Sequence, residues 1–200
     1  NIYANITQAY RPVLFSDITP PAVTDQIDPN LKDASGFNAD LGYRGTFNNY
    51  INFDVSLFYL SYNNRIGGIR QFVNNDPTQG TFLYRTNLGE TVNKGLESFV
   101  NFNLTRFLNV HNTYGNIELF ATMSFIDSRY TDFSVFTASG TAPNIVITES
   151  NLKGNRVENA PRYIHNFGLV WSKSNFSGTV QYRKSGRVFT DANNTATPSA

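Results

Sequence analysis

The sequence predicts an all-β protein, an up-and-down antiparallel transmembrane β-barrel represented here by about seven strands. Three observations carry this reading. Long segments alternate apolar and polar residues with a period of two, as strand side chains do. The connections between them are sorted by length, long ones alternating with shorter ones. Aromatic residues gather near the strand ends, as at the two interfaces of a membrane.

The pattern is clearest in residues 86–102. Leu96, Ser98, Val100 and Phe102 fall on one face, and Glu97, Phe99 and Asn101 on the other. A helix needs a period near 3.6, and Gly89 and Gly95 would weaken it. The whole strand is expected over 82–103. Lys94 lands on the apolar face if the alternation is unbroken, so a bulge at Gly95 is expected to reset the phase.

In chain order, 1–10 reads as a strand. Residues 11–35 hold Pro12, Pro20, Pro21 and Pro29, which predicts a loop with no ladder of its own. Residues 36–46 place Phe37, Ala39, Leu41 and Tyr43 opposite Asn38, Asp40, Gly42 and Arg44. A tight turn at 47–49 joins them to 50–62, where Ile51, Phe53, Val55, Leu57 and Tyr59 oppose Asn52, Asp54 and Ser56. Residues 63–81 form a second long loop, and 104–115 a shorter connection. In the strand at 116–130, Ile117, Leu119, Ala121, Met123 and Phe125 oppose Glu118, Thr122 and Ser124. A third long loop follows at 131–158. Strands at 160–172 (Phe167, Leu169, Trp171) and 176–190 (Phe176, Val180, Tyr182 against Thr179, Gln181, Arg183) are joined by a turn at 173–175.

In a meander, alternate connections lie at the same end. All the long loops therefore share one end and the short connections the other, as in outer-membrane barrels. A soluble β-sandwich also alternates, but has no physical reason to sort its loops. Tyr43, Phe47, Tyr50, Trp171 and Phe176 mark the short-turn rim, and Tyr59, Tyr62 and Tyr130 the long-loop rim. His165, which shares a face with Phe167 and Leu169, is expected above the hydrocarbon.

Composition narrows the function. Net charge is +1, so no nucleic-acid footprint is present. Charged residues are 16 %, against roughly a quarter in soluble domains. There is no cysteine, hence no disulfide framework or thiolate metal site. No run approaches the length of a transmembrane helix. Nucleotide-binding, zinc-protease and serine-hydrolase motifs are absent, so no enzyme and no resident cofactor or metal is expected. His111 and His165 lie far apart and read as structural.

Four motifs carry a family resemblance. Asn87, Gly89, Gly95 and Glu97 resemble the Asn-x-Gly…Gly-x-Glu barrel strand of TonB-dependent outer-membrane receptors. Gly154 and Pro161 resemble that family's loop-to-strand entry. FTDANNT at 189–195 is similar to a segment after a late barrel strand in ferric-citrate-type receptors. YANITQAYRP at 3–12 resembles a strand that ends in Arg-Pro at the outer rim. The resemblance covers nearly all of residues 1–200. It implies a barrel of about 22 strands around a plug, a TonB box, and TonB-driven uptake of a ferric chelate, a siderophore or ferric citrate, across the outer membrane of a Gram-negative cell. The plug and final strands are not expected within these residues. Seven strands fall short of the about eight that close such a barrel, so an open sheet is expected.

The resemblance further implies that ligand is held at the long-loop end. Ferric citrate and many siderophores are anionic, so Arg11, Arg65, Arg70, Arg85, Arg129 and Tyr130 are the candidates. The competing assignment for each is an ordinary solvated loop residue or a lipopolysaccharide contact. Outer-membrane lipid, lipopolysaccharide, the ferric chelate and TonB are the implied partners. A passive porin and a soluble carbohydrate-binding β-sandwich, suggested by the Asn-x-Ser/Thr sites at Asn5, Asn103 and Asn175, stand as alternatives.

Overall fold

The computed structural model describes residues 1–110, 114–141 and 143–198. His111 lies outside them. Seven long strands form one antiparallel sheet: β1 (Ile2–Arg11), β3 (Ala34–Phe47), β4 (Ile51–Asn63), β7 (Glu90–Asn103), β8 (Asn116–Asp132), β11 (Tyr163–Lys173) and β12 (Phe176–Ser185). They pair in that order, each with its neighbour in the meander, and β1 does not return to β12. The sheet is open, as expected.

Register explains the alternation. Leu41, Leu57, Leu96, Phe125 and Tyr163 are successive partners across five strands. One step along, Gly42, Ser56, Glu97, Ser124 and Ile164 align on the other face. A one-residue slip would exchange the faces, so the apolar set locks the pairing. The apolar face is largely exposed within this chain: Leu41, Leu57, Phe125, Phe167 and Val180 are all open. The opposite face is hydrogen-bonded among its own polar groups. Tyr3 donates to Asp54 at 2.6 Å, Asn101 to Glu118 at 3.0 Å, and Asn166 to Thr122 at 2.9 Å. An apolar outside around a polar inside is the inverse of a soluble domain and the rule for a membrane barrel. Among the described residues no helix is long and apolar enough to cross a membrane.

The short connections gather at one end. Asn48 and Asn49 both take positive φ and close β3 to β4, with the Tyr50 amide donating to the Phe47 carbonyl at 3.2 Å. Ser174, also at positive φ, turns β11 into β12. Between β7 and β8 lies one helical turn, α1 (Leu104–Phe107), capped by the Asn103 side chain, which accepts from the Arg106 amide at 2.9 Å. Phe107 and Phe102 both pack their rings 5.3–6.1 Å from Tyr50. The Trp171 indole donates to the Tyr114 carbonyl at 2.9 Å. These rings form the short-turn rim.

Several expectations fail in detail. The 11–35 loop does carry a ladder: β2 (Gln26–Ile27) runs parallel to β6 (Thr81–Asn87). The 63–81 loop contains β5 (Ile66–Phe72), antiparallel to β6, and the 131–158 loop contains the hairpin β9 (Ser134–Ser139) and β10 (Val146–Asn151). The strand read over 82–103 is two strands, parted at Leu88 and Gly89. Gly89 sits at φ +64°, and a Cβ there would come 2.1 Å from the Asp132 carbonyl oxygen. No bulge forms at Gly95; the register shift lies at Glu90/Thr91. Gly95 instead admits the Phe58 ring, 2.7 Å from where its Cβ would stand. Lys94 therefore stays on the outer face, between Tyr59 and Asp127. Residues 152–162 return from β10 to a strand that starts at Tyr163 rather than at 160, and the last strand ends at Ser185 rather than at 190.

Two of the rim assignments also change. Tyr62 partners Gly36 and Thr91 and Tyr130 partners Thr91, which places both on the inner face. The outer long-loop rim is built from Phe37 stacked on Tyr59 at 5.5 Å and from Tyr163. His165 stacks on Tyr163 at 4.9 Å and meets Phe125 at 5.1 Å, inside this aromatic set instead of above it. Its Nδ1 is buried without a partner among the described residues.

Candidate functional site

The long loops fold together into a platform over the sheet's upper edge. Asn87, at the end of β6, joins three of its segments. Its side-chain oxygen accepts from the Lys32 amide at 2.7 Å, and its nitrogen donates to the carbonyls of Lys32 (2.8 Å) and Asn64 (2.9 Å). Asp28 accepts from the Thr86 hydroxyl at 2.6 Å and from the Asn30 amide at 2.8 Å. These two bonds, the hydroxyl first, hold its carboxyl below the usual carboxylate range. Asp25 accepts from the Leu83 amide at 3.0 Å, which fixes the short β2 against β6. Asp191 in the 189–195 segment accepts from the Ala196 and Thr195 amides at 2.6 and 3.1 Å and is likewise held below the usual range. Asn194 exchanges bonds with the Arg156 backbone at 2.7 and 2.8 Å, so this segment is tied to the third long loop.

The six candidate residues separate into distinct settings. Arg11 and Arg85 come together on Asp17, a buried carboxylate. Arg11 Nη2 lies 2.9 Å from one Asp17 oxygen and Arg85 Nη1 3.6 Å from the other. The same carboxylate accepts from the Leu14 amide, and Arg85 also donates to the Ser16 carbonyl at 2.7 Å. Two guanidiniums on one carboxylate leave a net positive site, with donors that suit carboxylates and phenolates. Arg70 stands exposed on β5 opposite Leu83.

Arg65 and Tyr130 are brought together by Glu158. Arg65 reaches the Tyr130 hydroxyl and one Glu158 oxygen, each at 3.3 Å, and the Tyr130 hydroxyl donates to the other Glu158 oxygen. Tyr130 is only 1 % exposed and stacks on Phe133 at 4.5 Å. Burial pushes the Glu158 carboxyl up, but the Tyr130 hydroxyl and the Arg65 guanidinium outweigh it, and the carboxyl lies below its ordinary value. This is a closed clamp between two long loops and β8. Arg129 stands apart from both groups. It lies on the outer face, with Nε 3.0 Å from Asp127 and Nη1 donating to the Gly154 carbonyl at 2.9 Å.

Sequence reasoning passed over Asp17, Glu158, Asp127 and Arg156, the partners that organise these arginines. Asp17 sits in Pro-rich loop sequence without periodicity, and Glu158 in an Asn-rich one, so neither carries a local signal. Asp127 does carry one: it falls on the outer face by the same alternation that places Lys94 there.

A sequence profile described as "TonB dependent receptor-like, beta-barrel" matches residues 1–200. No curated protein matches the chain. Among solved structures, the fold resembles the ferric yersiniabactin uptake receptor FyuA from Yersinia pestis, at 16 % identity and TM-score 0.61, over 98 % of this chain and 25 % of that one. It also resembles the copper transporter OprC, at 13 % identity and TM-score 0.57, over 94 % and 24 %. The RagAB peptide transporter aligns at 15 % identity and TM-score 0.53, over 82 % and 22 %. The chain thus spans about a quarter of the length of each. The open meander, its apolar outer face, its loops sorted to one end and the match along all 200 residues lead to one conclusion: the chain belongs to the TonB-dependent receptor family and is part of its β-barrel.

Proposed function

We propose that these residues form part of the wall and outer loops of an outer-membrane receptor that imports a ferric chelate, a siderophore or ferric citrate, with energy delivered by TonB through a plug outside this segment. Further strands complete the barrel, and the barrel stands in the outer membrane among lipid and lipopolysaccharide. The function is binding and transport; no enzymatic role is assigned. The observation that carries the ligand class is the Arg11–Asp17–Arg85 group on the platform, whose two guanidiniums outnumber their carboxylate. Arg70 adds an exposed cation on the same three-stranded sheet. Arg65 and Tyr130 serve this reading as positioning residues, since their polar groups are taken up by Glu158.

Copper and peptide are the rival cargoes, because a copper transporter and a peptide transporter share the fold. The test is uptake and binding by the full-length receptor under iron limitation. Ferric citrate and a panel of anionic ferric siderophores are set against free copper and short peptides. Saturable binding of one ferric chelate, weakened by Arg85→Ala, supports the reading. Binding of copper or peptide with no ferric chelate bound refutes it.

A further inference from the structure

On the outer face, where β7, β8 and the entry to β11 meet, four cations surround one carboxylate. Asp127 takes Arg129 Nε and Arg156 Nη2, each at 3.0 Å. Lys94 is its direct register partner on β7. Arg162 completes the group; its carbonyl accepts from the Ile126 amide at 2.8 Å, which holds it beside Asp127. Among the described ion pairs neither Lys94 nor Arg162 takes part. Burial, together with the charges of Arg162 and Arg129, lowers the Arg156 guanidinium pKa despite Asp127, so positive charge is in local excess.

The group borders an open cleft of about 860 Å³ that continues down onto Leu57, Leu96, Phe125 and Tyr163. On β8, Leu119 is level with Ile51 through Phe102, and Leu119 to Asp127 is nine residues, about the 9–11 that cross a hydrocarbon layer. The cations therefore stand at the outer edge of the apolar band, directly above surface that faces acyl chains. Cations at that depth are costly unless they meet anions. An alternating strand needs no Lys at position 94, and a loop return needs no Arg at 162.

We propose that this cleft is a binding site for a phosphate-bearing lipid of the outer leaflet, with the phosphate between Lys94, Arg129, Arg156 and Arg162 and the acyl chains along Leu57, Leu96 and Phe125. The occupant follows from charge complementarity above and apolar surface below, a combination that a free anion would use only in part. The inference rests on the membrane placement proposed above.

The experiment is native mass spectrometry of the full-length receptor, released from bilayers of phosphatidylcholine containing lipid A. The Lys94→Gln/Arg162→Gln double variant removes two exposed cations that hold no ion pair among the described residues. Lipid A retention falls about 30-fold, from roughly one factor of several per cation at a membrane surface. Lys94→Arg and the loop control Arg70→Gln retain it at the wild-type level. Millimolar inorganic phosphate leaves most of the lipid in place. Retention by the double variant equal to the wild type overturns the proposal, and so does full displacement by inorganic phosphate, which would make the site one for a free anion. Heat-modifiable migration of the double variant as a folded barrel keeps this failure separate from a failure of the membrane reading.

Discussion

Leu57→Arg tests which face of the sheet meets lipid. Leu57 lies on the outer face of β4 between Leu41 and Leu96 and is 55 % exposed in this chain. From Ile51, at the short-turn rim, a strand tilted near 45° rises about 2.3 Å per residue, which lifts Leu57 about 14 Å, near the middle of a band ~25 Å tall. An arginine at that depth costs ~2–4 kcal/mol, or roughly 30- to 1,000-fold in the folding equilibrium. Its neighbour Ser56 points to the inner face, between Gly42 and Glu97. An arginine there meets water and a carboxylate, so the expected cost is below about 1 kcal/mol. Phe53→Arg, nearer the rim, falls between the two, and Asn52→Arg on the inner face is mild. The measurement is urea-dependent folding of the full-length receptor into phospholipid bilayers. Equal destabilisation by Leu57→Arg and Ser56→Arg would refute the assignment of the faces.

Two further outcomes concern the platform. Asn87→Ala removes three hydrogen bonds that join the first and second long loops, each worth ~0.5–1.5 kcal/mol net. The expected result is faster hydrogen exchange at 28–33 and 81–87 with the seven-stranded sheet still protected; unchanged exchange in the loops would show that Asn87 is not their tie. The Glu158 carboxyl has a depressed pKa, so its contribution is present above the unfolded value of about 4.3 and fades as pH falls through the folded value. Acidification below about pH 4.3 should therefore loosen the Arg65–Tyr130–Glu158 clamp, read as exchange or protease sensitivity at 152–158. Glu158→Gln should open it already at neutral pH and flatten the profile; a wild-type profile in that variant would count against the clamp.

Much of the barrel wall was legible because alternation is a local property. Phe37 to Tyr43, Ile51 to Tyr59 and Ile117 to Phe125 each display their face within one strand, and the paired register then carries that face across the sheet. Asn48 and Asn49 declared a tight turn, since asparagine tolerates positive φ. For Tyr62 and Tyr130, a place near a strand end says nothing about which way the ring points; parity does, and it puts both on the inner face. Lys94 misled in another manner. Alternation alone makes it an error of phase to be repaired at Gly95, whereas the chain keeps the phase and sets the cation opposite Asp127.

The loop sequences read as plain connections, without periodicity. Gln26 and Ile27 pair with Tyr84 and Arg85, far along the chain, and two residues are too few to show any period. Arg65 and Glu158 are likewise joined only by the folded loops. From sequence alone came the strands, their wet and apolar sides, and the sorting of loops to one end, because each depends on spacing within a few residues. Which arginines share a carboxylate, which are locked into a clamp and which face outward was decided by the tertiary structure, because those neighbours meet only when distant segments close on one another.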